Sequence, residues 1–572
     1  MPRVYIINFL FILLGSCTSH PRRTDSPIRI RWPRDPETLD PLTLPNQQAI
    51  DAANLLHVGL LQNDYQANTY TPGLAEAIPT RQLLGDSLSQ LTYCLRAEAT
   101  WDDGRPVLAT DVAFTLKLMH CAGLPNEGSR AELDFIEACQ LDPADPRRFI
   151  LLCRGQAPEY TWTSGDFPVL PENVFDAAHS LRAYSLKALR APTAATLPPV
   201  AALVARYQQA NVAHHPERLP GCGPYRLVSW QTNRSLVFER KATWWADRLP
   251  DVPFALRARA QQLQFLILPD AAAAMLGLRR HELDVFPQVP TRLFQQLRAS
   301  SKELAFYTTK SNEVVMMGFN TQKPTLRDRS TRRALSLLLN PAALRAATQI
   351  GQGQLTASLL APTSPYYNDS LRALVYDPNG AANLLRQAGW QRQVDGTWHH
   401  ASQAAPLHLR FCYRTDDPTF LAIGLQFQAA AGRLGIGVDL QPAEGSLFSK
   451  RLRQGDFDLC TLIIRGNPFA YNFAPLLHSQ SVATGNFMRF ANSTADRLLT
   501  AITQESQPAR KQRLLNKFQV LLREEMPLVP LFVLPYRIAA DHRLHDLTPT
   551  PLRPGYAAAA MHWALADTLA AH

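Results

Sequence analysis

Histidine pairs and glycine turns are the patterns in this chain that could carry out catalysis or bind a metal or phosphate group. The adjacent pairs His214–His215 and His399–His400 would point to different faces of any regular element, so neither forms a metal site. His281 lacks the second histidine that a helical zinc site needs. Gly221 and Gly223 precede a proline, which is typical of a turn. Because no GxSxG, HExxH or P-loop motif occurs either, we predict no enzymatic activity, no cofactor and no metal. An exported hydrolase is the enzyme alternative.

The segment Leu91–Lys117 is the most informative stretch for local structure. Apolar and polar residues alternate from Leu91 onward, which is the period of a half-buried strand. Asp103–Gly104 is a turn signal. Thr110 and Asp111 stand ahead of an apolar run and predict a helix N-cap. The residues alone therefore predict a strand, a turn and a helix.

The composition is that of a folded protein with several domains. The chain has 572 residues, of which 46% are hydrophobic and 19% are charged, and this leaves room for two or three domains. The net charge of +10 arises from 58 basic and 48 acidic residues. The basic residues form no stripe with interleaved aromatic residues, so we do not expect nucleic acid as a partner.

The N-terminus has the layout of an export signal. A short basic start is followed by an apolar run from Val4 to Leu14 and by small residues before Cys17. This ending resembles a bacterial lipobox, which implies cleavage before Cys17 and lipidation of that residue. Residues 1–17 would then be a lipoprotein signal peptide and residues 18–27 a polar tether to the membrane anchor. A plain signal peptide and a short buried helix are the alternatives.

Seven cysteines remain after Cys17. An odd number outside the cytoplasm leaves at least one free thiol if every bridge is intramolecular. Cys121, Cys139 and Cys153 are close enough in sequence to permit a bridge, and the sequence does not choose one. For most of the seven we expect buried free thiols.

Leu91–Lys117 resembles the signature region of one class of extracellular solute-binding proteins, the oligopeptide/dipeptide/nickel-binding class, which are the substrate-binding lipoproteins of ABC transporters. The positions that carry the resemblance are Arg96, Trp101, Asp103, Gly104, Pro106, Asp111 and Val112. Further segments follow in the order that this class has: Pro72–Glu76, Gly221–Leu227, Leu276–Phe286, Asp377–Trp390 and Glu524–Leu531. Collinear order over so much of the chain is more specific than any single motif.

The resemblance implies an α/β fold like that of periplasmic binding proteins, with two lobes joined by hinge strands and an additional inserted domain. By this analogy lobe I is discontinuous and comprises residues 28–49, 221–310 and 527–572. The inserted domain would comprise residues 50–220, and lobe II residues 311–526. Asp103, Gly104 and Asp111 would be turn and cap residues of the inserted domain, away from the ligand.

The resemblance also implies transport as the function. The chain would be a monomeric, lipid-anchored receptor of the cell envelope or periplasm that binds peptides or peptide-like compounds between its lobes. It would present them to an ABC permease, as in peptide transport. The alternative is a receptor of the same fold for a non-peptide ligand, such as a modified peptide, a glycopeptide or a metal chelate, which serves signalling or scavenging without a dedicated permease.

Two segments are the candidates for ligand binding. The loop Asn46, Gln47 and Gln48 lies where the class has a polar ligand-contacting loop, and amides can both donate to and accept from a peptide; an ordinary solvated loop is the alternative. The second segment follows a predicted strand and contains Arg465, Asn467, Tyr471 and Asn472.

This second segment departs from the pattern of the class. Peptide binders carry an aspartate there that pairs with the ligand's amino group, whereas residues 465–473 contain no carboxylate. A cleft with Arg465 and no aspartate disfavours an ammonium group at that end, since an unpaired buried charge is costly. We therefore expect a ligand that is neutral or anionic there. Pairing of Arg465 with a structural acid is the alternative.

Overall fold

The computed structural model describes residues 26–564, except residues 86, 125, 127–129, 131, 404, 467, 470 and 483. The predicted signal peptide, Cys17 and most of the predicted tether lie outside the described residues. Within the described part of the chain, strands and helices alternate over most of the length, as expected for an α/β fold.

The strands are β1 Ile28–Trp32, β2 Leu61–Asp64, β3 Thr69–Pro72, β4 Thr80–Leu84, β5 Leu88–Cys94, β6 Ile136–Leu141, β7 Arg148–Arg154, β8 Tyr225–Gln231, β9 Ser235–Arg240, β10 Gln262–Ile267, β11 Val285–Pro287, β12 Leu304–Phe319, β13 Gln354–Leu355, β14 Trp390–Arg392, β15 Trp398–His400, β16 His408–Arg414, β17 Gly437–Ala443, β18 Leu459–Arg465, β19 Leu528–Asp541, β20 Leu544–His545 and β21 His562–Trp563. The α-helices are α1 Gln47–Leu56, α2 Ala109–His120, α3 Tyr160–Thr163, α4 Glu172–Phe175, α5 Leu186–Arg190, α6 Pro198–Ala210, α7 Ala271–Arg279, α8 Thr291–Ser300, α9 Arg329–Ser336, α10 Pro341–Gln349, α11 Pro378–Gln387, α12 Pro418–Arg433, α13 Gly445–Gln454, α14 Ala474–Leu477, α15 Ser493–Gln504 and α16 Pro508–Glu525.

One eleven-stranded sheet runs through both lobes. Its order is β17-β16-β18-β12-β19-β11-β1-β10-β9-β8, and β13 pairs with β19 off this path. On one side β1 pairs in parallel with β10 and β11, and on the other side β16 pairs in parallel with β17 and β18. The long strands β12 and β19 lie between these halves and pair antiparallel with each other. They are the hinge strands, and the predicted two-lobed α/β fold is confirmed.

The ladder between the hinge strands is interrupted where the two lobes meet. The register of β12 against β19 shifts between positions 310 and 314. Ser311 Oγ donates to the Leu534 carbonyl and accepts from the Glu313 N–H at 3.1 Å. A bulge bends a strand and re-aims its side chains. Here it brings Asn312 and Glu313 to the wall of the cleft between the lobes.

The hydrophobic cores separate at the same place. One large core joins the first lobe with the inserted domain and contains residues such as Ile30, Phe149 and Phe238. From Val314 onward, β12 contributes instead to the cores of lobe II, together with residues such as Phe411. Each body therefore has its own packed interior, and the hinge strands connect the two. The domain boundaries given above stay a prediction.

The segment Leu91–Lys117 begins in a separate four-stranded sheet of order β4-β5-β7-β6. The predicted strand is β5, and Gly104 in the turn has a φ of 82°. The predicted N-cap is wrong, because α2 begins at Ala109 and Leu108 is the capping residue. Asp111 lies inside the first turn, where its carboxylate accepts from the N–H groups of Leu108 at 3.0 Å and Glu172 at 2.9 Å. It thus satisfies two backbone donors without being the cap.

The seven cysteines of the described chain are free thiols, so no bridge joins Cys121, Cys139 or Cys153. Five of the seven are buried, which confirms the prediction made for most of them; these are Cys121, Cys153, Cys222, Cys412 and Cys460. Among the described helices, none has both the length and the apolar character needed to cross a bilayer.

Gly221 and Gly223 allow the chain that returns from the inserted domain to pass against the end of α1. The Gly223 N–H donates to the Leu56 carbonyl at 2.9 Å. A β-carbon on Gly221 would lie 2.2 Å from that carbonyl oxygen, and one on Gly223 would lie 2.5 Å from the Leu55 carbonyl oxygen. Backbone cannot move aside as a flexible side chain can, so this crossing requires glycine.

We expect Gly223→Ala to lower the free energy of unfolding by about 1–3 kcal/mol, because α1 and the returning chain must move apart. Urea denaturation of the variant and the parent measures this difference. Gly445→Ala is the matched control, since a β-carbon there meets no atom within 4 Å. Equal stability losses for the two variants would contradict this account of the crossing.

Candidate functional site

A cleft between the two bodies of the protein is the candidate site, and it encloses about 720 Å³. Four separate parts of the chain form its walls: the region of α1 to β3 with Asp166, the hinge strands, the end of β18 with the segment after it, and the C-terminal segment Pro551–Arg553. The lining residues are Gln47, Ile50, Asn54, Asn63, Tyr65, Tyr70, Asp166, Asn312, Glu313, Arg465, Gly466, Pro468, Phe469, Tyr536, Pro551, Leu552 and Arg553.

A buried carboxylate, Glu313, lies at the hinge. Its Oε1 accepts from the Tyr536 hydroxyl at 2.9 Å and from Arg553 Nε at 2.5 Å, and Arg553 also forms an ion pair with it through Nη2. Burial by itself would lower the pKa of Arg553, but the charge of Glu313, the neighbouring Tyr536 and the hydrogen bonds to both together raise it. Burial and the same negative charge raise the pKa of Tyr536. The charge on Glu313 is thus held by partners from the C-terminal part of the chain.

Arg465 is the second cation next to this carboxylate. Its Nε lies 3.9 Å from Glu313 Oε1, and 56% of its side chain remains exposed. Enclosure by the cleft walls and then the positive charge of Arg553 lower the pKa of Arg465. Two arginines therefore share one carboxylate, with Arg553 tightly bound and Arg465 loosely held. The alternative, that Arg465 pairs with a structural acid, holds only in part. Glu313 lies nearby, but the guanidinium of Arg465 also faces the cleft.

The cleft contains an aspartate, although not within residues 465–473. Asp166, next to the helix α3, lines the opposite wall, and its Oδ2 accepts from the Tyr70 hydroxyl. Removal from bulk water raises the pKa of Asp166, although the hydrogen bond from Tyr70 opposes this change. This carboxylate comes from a segment about 300 residues before Arg465, so residues 465–473 give no sign of it. The cleft thus has a carboxyl group on one wall and the Arg465 guanidinium on the other.

The predicted amide loop forms the start of α1. Asn46 is its N-cap: Oδ1 accepts from the Ala49 N–H at 3.0 Å and Nδ2 donates to the Pro36 carbonyl at 2.9 Å. Gln48 is buried, and Arg34 Nε donates to its Oε1 at 3.4 Å. Gln47 lines the cleft. All three amides therefore have structural contacts, since Gln47 Nε2 donates to Asp51 Oδ1 at 2.8 Å, but Gln47 alone of the three also lines the cleft.

Of the predicted residues in the second segment, only some line the cleft. Asn467 lies outside the described residues. Tyr471 packs edge to face on Tyr366, with ring centroids 4.6 Å apart. Asn472 is exposed, and its Oδ1 accepts from the Ala474 N–H at 3.0 Å. Of this segment, the described cleft wall contains Arg465, Gly466, Pro468 and Phe469.

Several lining residues were missed by the sequence reasoning. Asn54 follows Gln47 by seven residues and so lies on the same face of α1, which is a signal that the loop prediction did not use. Asn312 and Glu313 belong to a polar run that interrupts an otherwise apolar strand. For Arg553 and Asp166 no local signal exists, because their roles depend on distant partners.

The walls of the cleft touch each other beyond its mouth. The rings of Tyr70 and Phe469 lie 4.7 Å apart, centroid to centroid. Lys511 on α16 forms an ion pair with Glu159, 352 residues away in sequence. Only 3% of the Lys511 side chain and 15% of the Glu159 side chain are exposed. This buried pair joins two separately packed bodies, and removal of either partner would leave the other charge buried without its ion pair.

The chain is similar in sequence and in structure to solute-binding proteins of bacteria. The sequence model for bacterial extracellular solute-binding proteins, family 5 Middle, matches residues 69–483. Heme-binding protein A of Haemophilus influenzae is 24% identical over 315 residues, which cover 54% of this chain and 54% of that protein, so the chain spans about half of that relative. The dipeptide-binding protein of Escherichia coli (strain K12) is 22% identical over 510 residues, 86% of each. The oligopeptide-binding protein AppA of Bacillus subtilis, solved with a nonapeptide, has a TM-score of 0.75 at 17% identity and covers 94% of this chain and 99% of its own.

We expect Lys511→Met to shift the equilibrium of the ligand-free protein toward the open form by about 2–5 kcal/mol, because it leaves Glu159 buried without a partner. Small-angle X-ray scattering would detect a larger radius of gyration. Lys517→Met, on an exposed position of the same helix, is the control and should leave the scattering curve unchanged. The charge swap Glu159→Lys with Lys511→Glu should restore compactness; a compact Lys511→Met variant would contradict the role of this pair.

Proposed function

The chain belongs to family 5 of the bacterial extracellular solute-binding proteins, and we propose that it is the lipid-anchored receptor of an ABC importer for peptides or peptide-like compounds. The observation that carries this proposal is the polar cleft at the hinge, whose walls come from two separately packed bodies. A ligand that contacts both walls favours the closed form over the open one. A permease can distinguish these two forms.

The charges of the cleft support a particular orientation of the ligand. Glu313 neutralises one of the two arginines at the hinge, which leaves one positive charge on that side. The half-exposed guanidinium of Arg465 has donors free for a ligand, and guanidinium groups bind carboxylates well. We therefore assign the anionic end of the ligand to Arg465, and a donor or cationic group to the wall with Asp166. Gln47 and Asn54 supply amides for the backbone of a peptide-like ligand.

Native mass spectrometry of the protein purified from its own host tests the ligand class directly. The expected result is a retained peptide or modified peptide that carries a carboxylate or another anionic group. A retained metal chelate or haem would contradict the peptide class while leaving the receptor function in place. A protein that turns its bound ligand over would contradict the receptor function itself.

The proposed location follows from the N-terminal sequence. The apolar run from Val4 to Leu14 and the lipobox-like residues before Cys17 support export and lipid anchoring. The polar tether would then let the folded part reach a permease while it stays attached to the membrane. We also keep the monomeric state and the domain boundaries given above as parts of this proposal.

We expect Arg465→Gln to weaken binding of trialanine about tenfold or more, because a charge-assisted hydrogen bond is worth about 1.5–3 kcal/mol. In the parent protein, C-terminal amidation of trialanine should cause a loss of similar size, and in the variant amidation should add little. Isothermal titration calorimetry measures all four affinities. Arg453→Gln, an exposed arginine on α13, is the control.

The opposite orientation would give a different pattern in the same titrations. Submicromolar binding that N-acetylation abolishes, and that amidation leaves intact in both proteins, would contradict the assignment of Arg465 to an anionic end.

We expect Cys17→Ser to release the protein from the membrane fraction, because the substituted residue cannot carry the thioether-linked lipid. Detergent phase partitioning and labelling with a radioactive fatty acid provide the measurement. A Cys94→Ser variant serves as the control and should remain in the detergent phase. Retention of the Cys17→Ser protein in that phase would contradict lipid anchoring at this residue.

A further inference from the structure

The two walls of the cleft meet at Phe469, and the contact there crosses between the two bodies. Phe469 follows β18 on the side of lobe II, yet it packs against the core that joins lobe I with the inserted domain. Its ring lies 4.7 Å from the ring of Tyr70, centroid to centroid. Both residues line the cleft, so this pair, called here the aromatic wall, bounds the cleft on one side.

Side chains occupy the space behind the aromatic wall. Trp162 stacks on Tyr70, with ring centroids 6.3 Å apart. Tyr366 and Tyr471 lie near Glu159: burial raises the pKa of both hydroxyl groups, and the charge of Glu159 adds to this effect. Glu159 is itself buried in its ion pair from the opposite body. Among the described residues that line the cleft, none comes from this group, so the open space ends at the wall.

Both rings of the aromatic wall are held in place. Tyr70 is 4% exposed, and its hydroxyl donates to the Asp166 carboxylate. The segment that carries Phe469 is fixed at its start, because the Gly466 N–H donates to the Asn312 carbonyl at 2.8 Å. A β-carbon on Gly466 would lie only 3.1 Å from that oxygen, which shows how closely this segment follows β12. A ligand therefore does not displace either ring without breaking these contacts.

The position of the aromatic wall limits the length of a ligand that is anchored at Arg465. Phe469 follows Arg465 by four residues, and four residues of fully extended chain span at most about 14 Å. An extended ligand that runs beside this segment, from the guanidinium to the wall, is subject to the same limit. That distance corresponds to about four ligand residues.

We propose that the aromatic wall makes this receptor selective for short ligands, of about two to four residues or the same extent. One end of the ligand lies at Arg465, and the other end stops in front of Tyr70 and Phe469. A longer ligand would have to separate two rings that contact each other across the bodies, which exposes apolar surface and removes the ring contact. This inference rests on the proposed function, because it places the same ligand in the same cleft.

The first test compares trialanine with a hexapeptide that carries Ser-Gly-Ser before the three alanines. Isothermal titration calorimetry should show that the parent binds the hexapeptide about tenfold more weakly, or worse. Phe469→Gly removes one ring of the wall, and its ratio of hexapeptide to trialanine affinity should rise toward one. The ratio is the readout because loss of the ring also affects closure, which acts on both peptides alike.

Val375→Gly is the matched control for this titration. It also replaces a large apolar residue by glycine, at a position that is 75% exposed and outside the helices and strands, and it should keep the ratio of the parent. A parent that binds the hexapeptide as tightly as trialanine would overturn the length limit. The same holds for a Phe469→Gly variant that keeps the tenfold preference for trialanine.

The second test does not depend on the choice of peptide. Native mass spectrometry of the protein from its own host should show a retained ligand no heavier than a tetrapeptide. A retained longer peptide would overturn the length limit and leave the proposed receptor function in place. A retained non-peptide compound below that mass would support the limit and contradict the peptide class instead.

Discussion

Glu313 places a negative charge in the interior of the hinge, and the structure around the cleft depends on how this charge is held. Removing a carboxylate from water costs several kcal/mol unless ion pairs and hydrogen bonds replace the water. Arg553 and Tyr536 provide these contacts from the returning part of the chain, more than 200 residues away in sequence. The bulge in β12 is what aims Glu313 at them. The Glu313 side chain thus links the position of the C-terminal segment to the geometry of the hinge. It also links both of them to the shape of the cleft.

The same interaction connects ligand binding with movement of the lobes. Arg465 ends β18, which pairs with β12 through the bulged region, so that Glu313 and Arg465 are register partners. An anion that binds Arg465 would therefore lie next to the hinge strands. The pair Glu159–Lys511 acts at the other end of the interface, where closure brings buried charges together.

The sequence predicted the fold better than the site. Local patterns and collinear motifs identified the α/β class, the two lobes and the hinge strands. The strand–turn–helix order at Leu91–Lys117 was predicted as well, with an error of two to three residues at the N-cap of α2. That error arose because Asp111 binds backbone N–H groups from the first turn, a role that resembles a cap in composition but not in position. Among the residues predicted for the site, Gln47 and Arg465 line the cleft, whereas Asn46 caps a helix.

The remaining residues of the site could not be predicted because their function depends on pairs that are distant in the sequence. Asp166 faces Arg465 only after the domain that carries it has packed beside the hinge, and Arg553 has no feature that distinguishes it from the other arginines of the chain. Local periodicity describes which face of an element is buried, but it does not state which elements will face each other across a solvent-filled gap. In a cleft built from several remote segments, selectivity for a ligand depends on such facing residues. The fold can therefore remain recognisable at about 17–24% identity, while the charges that face the ligand are decided independently on each wall.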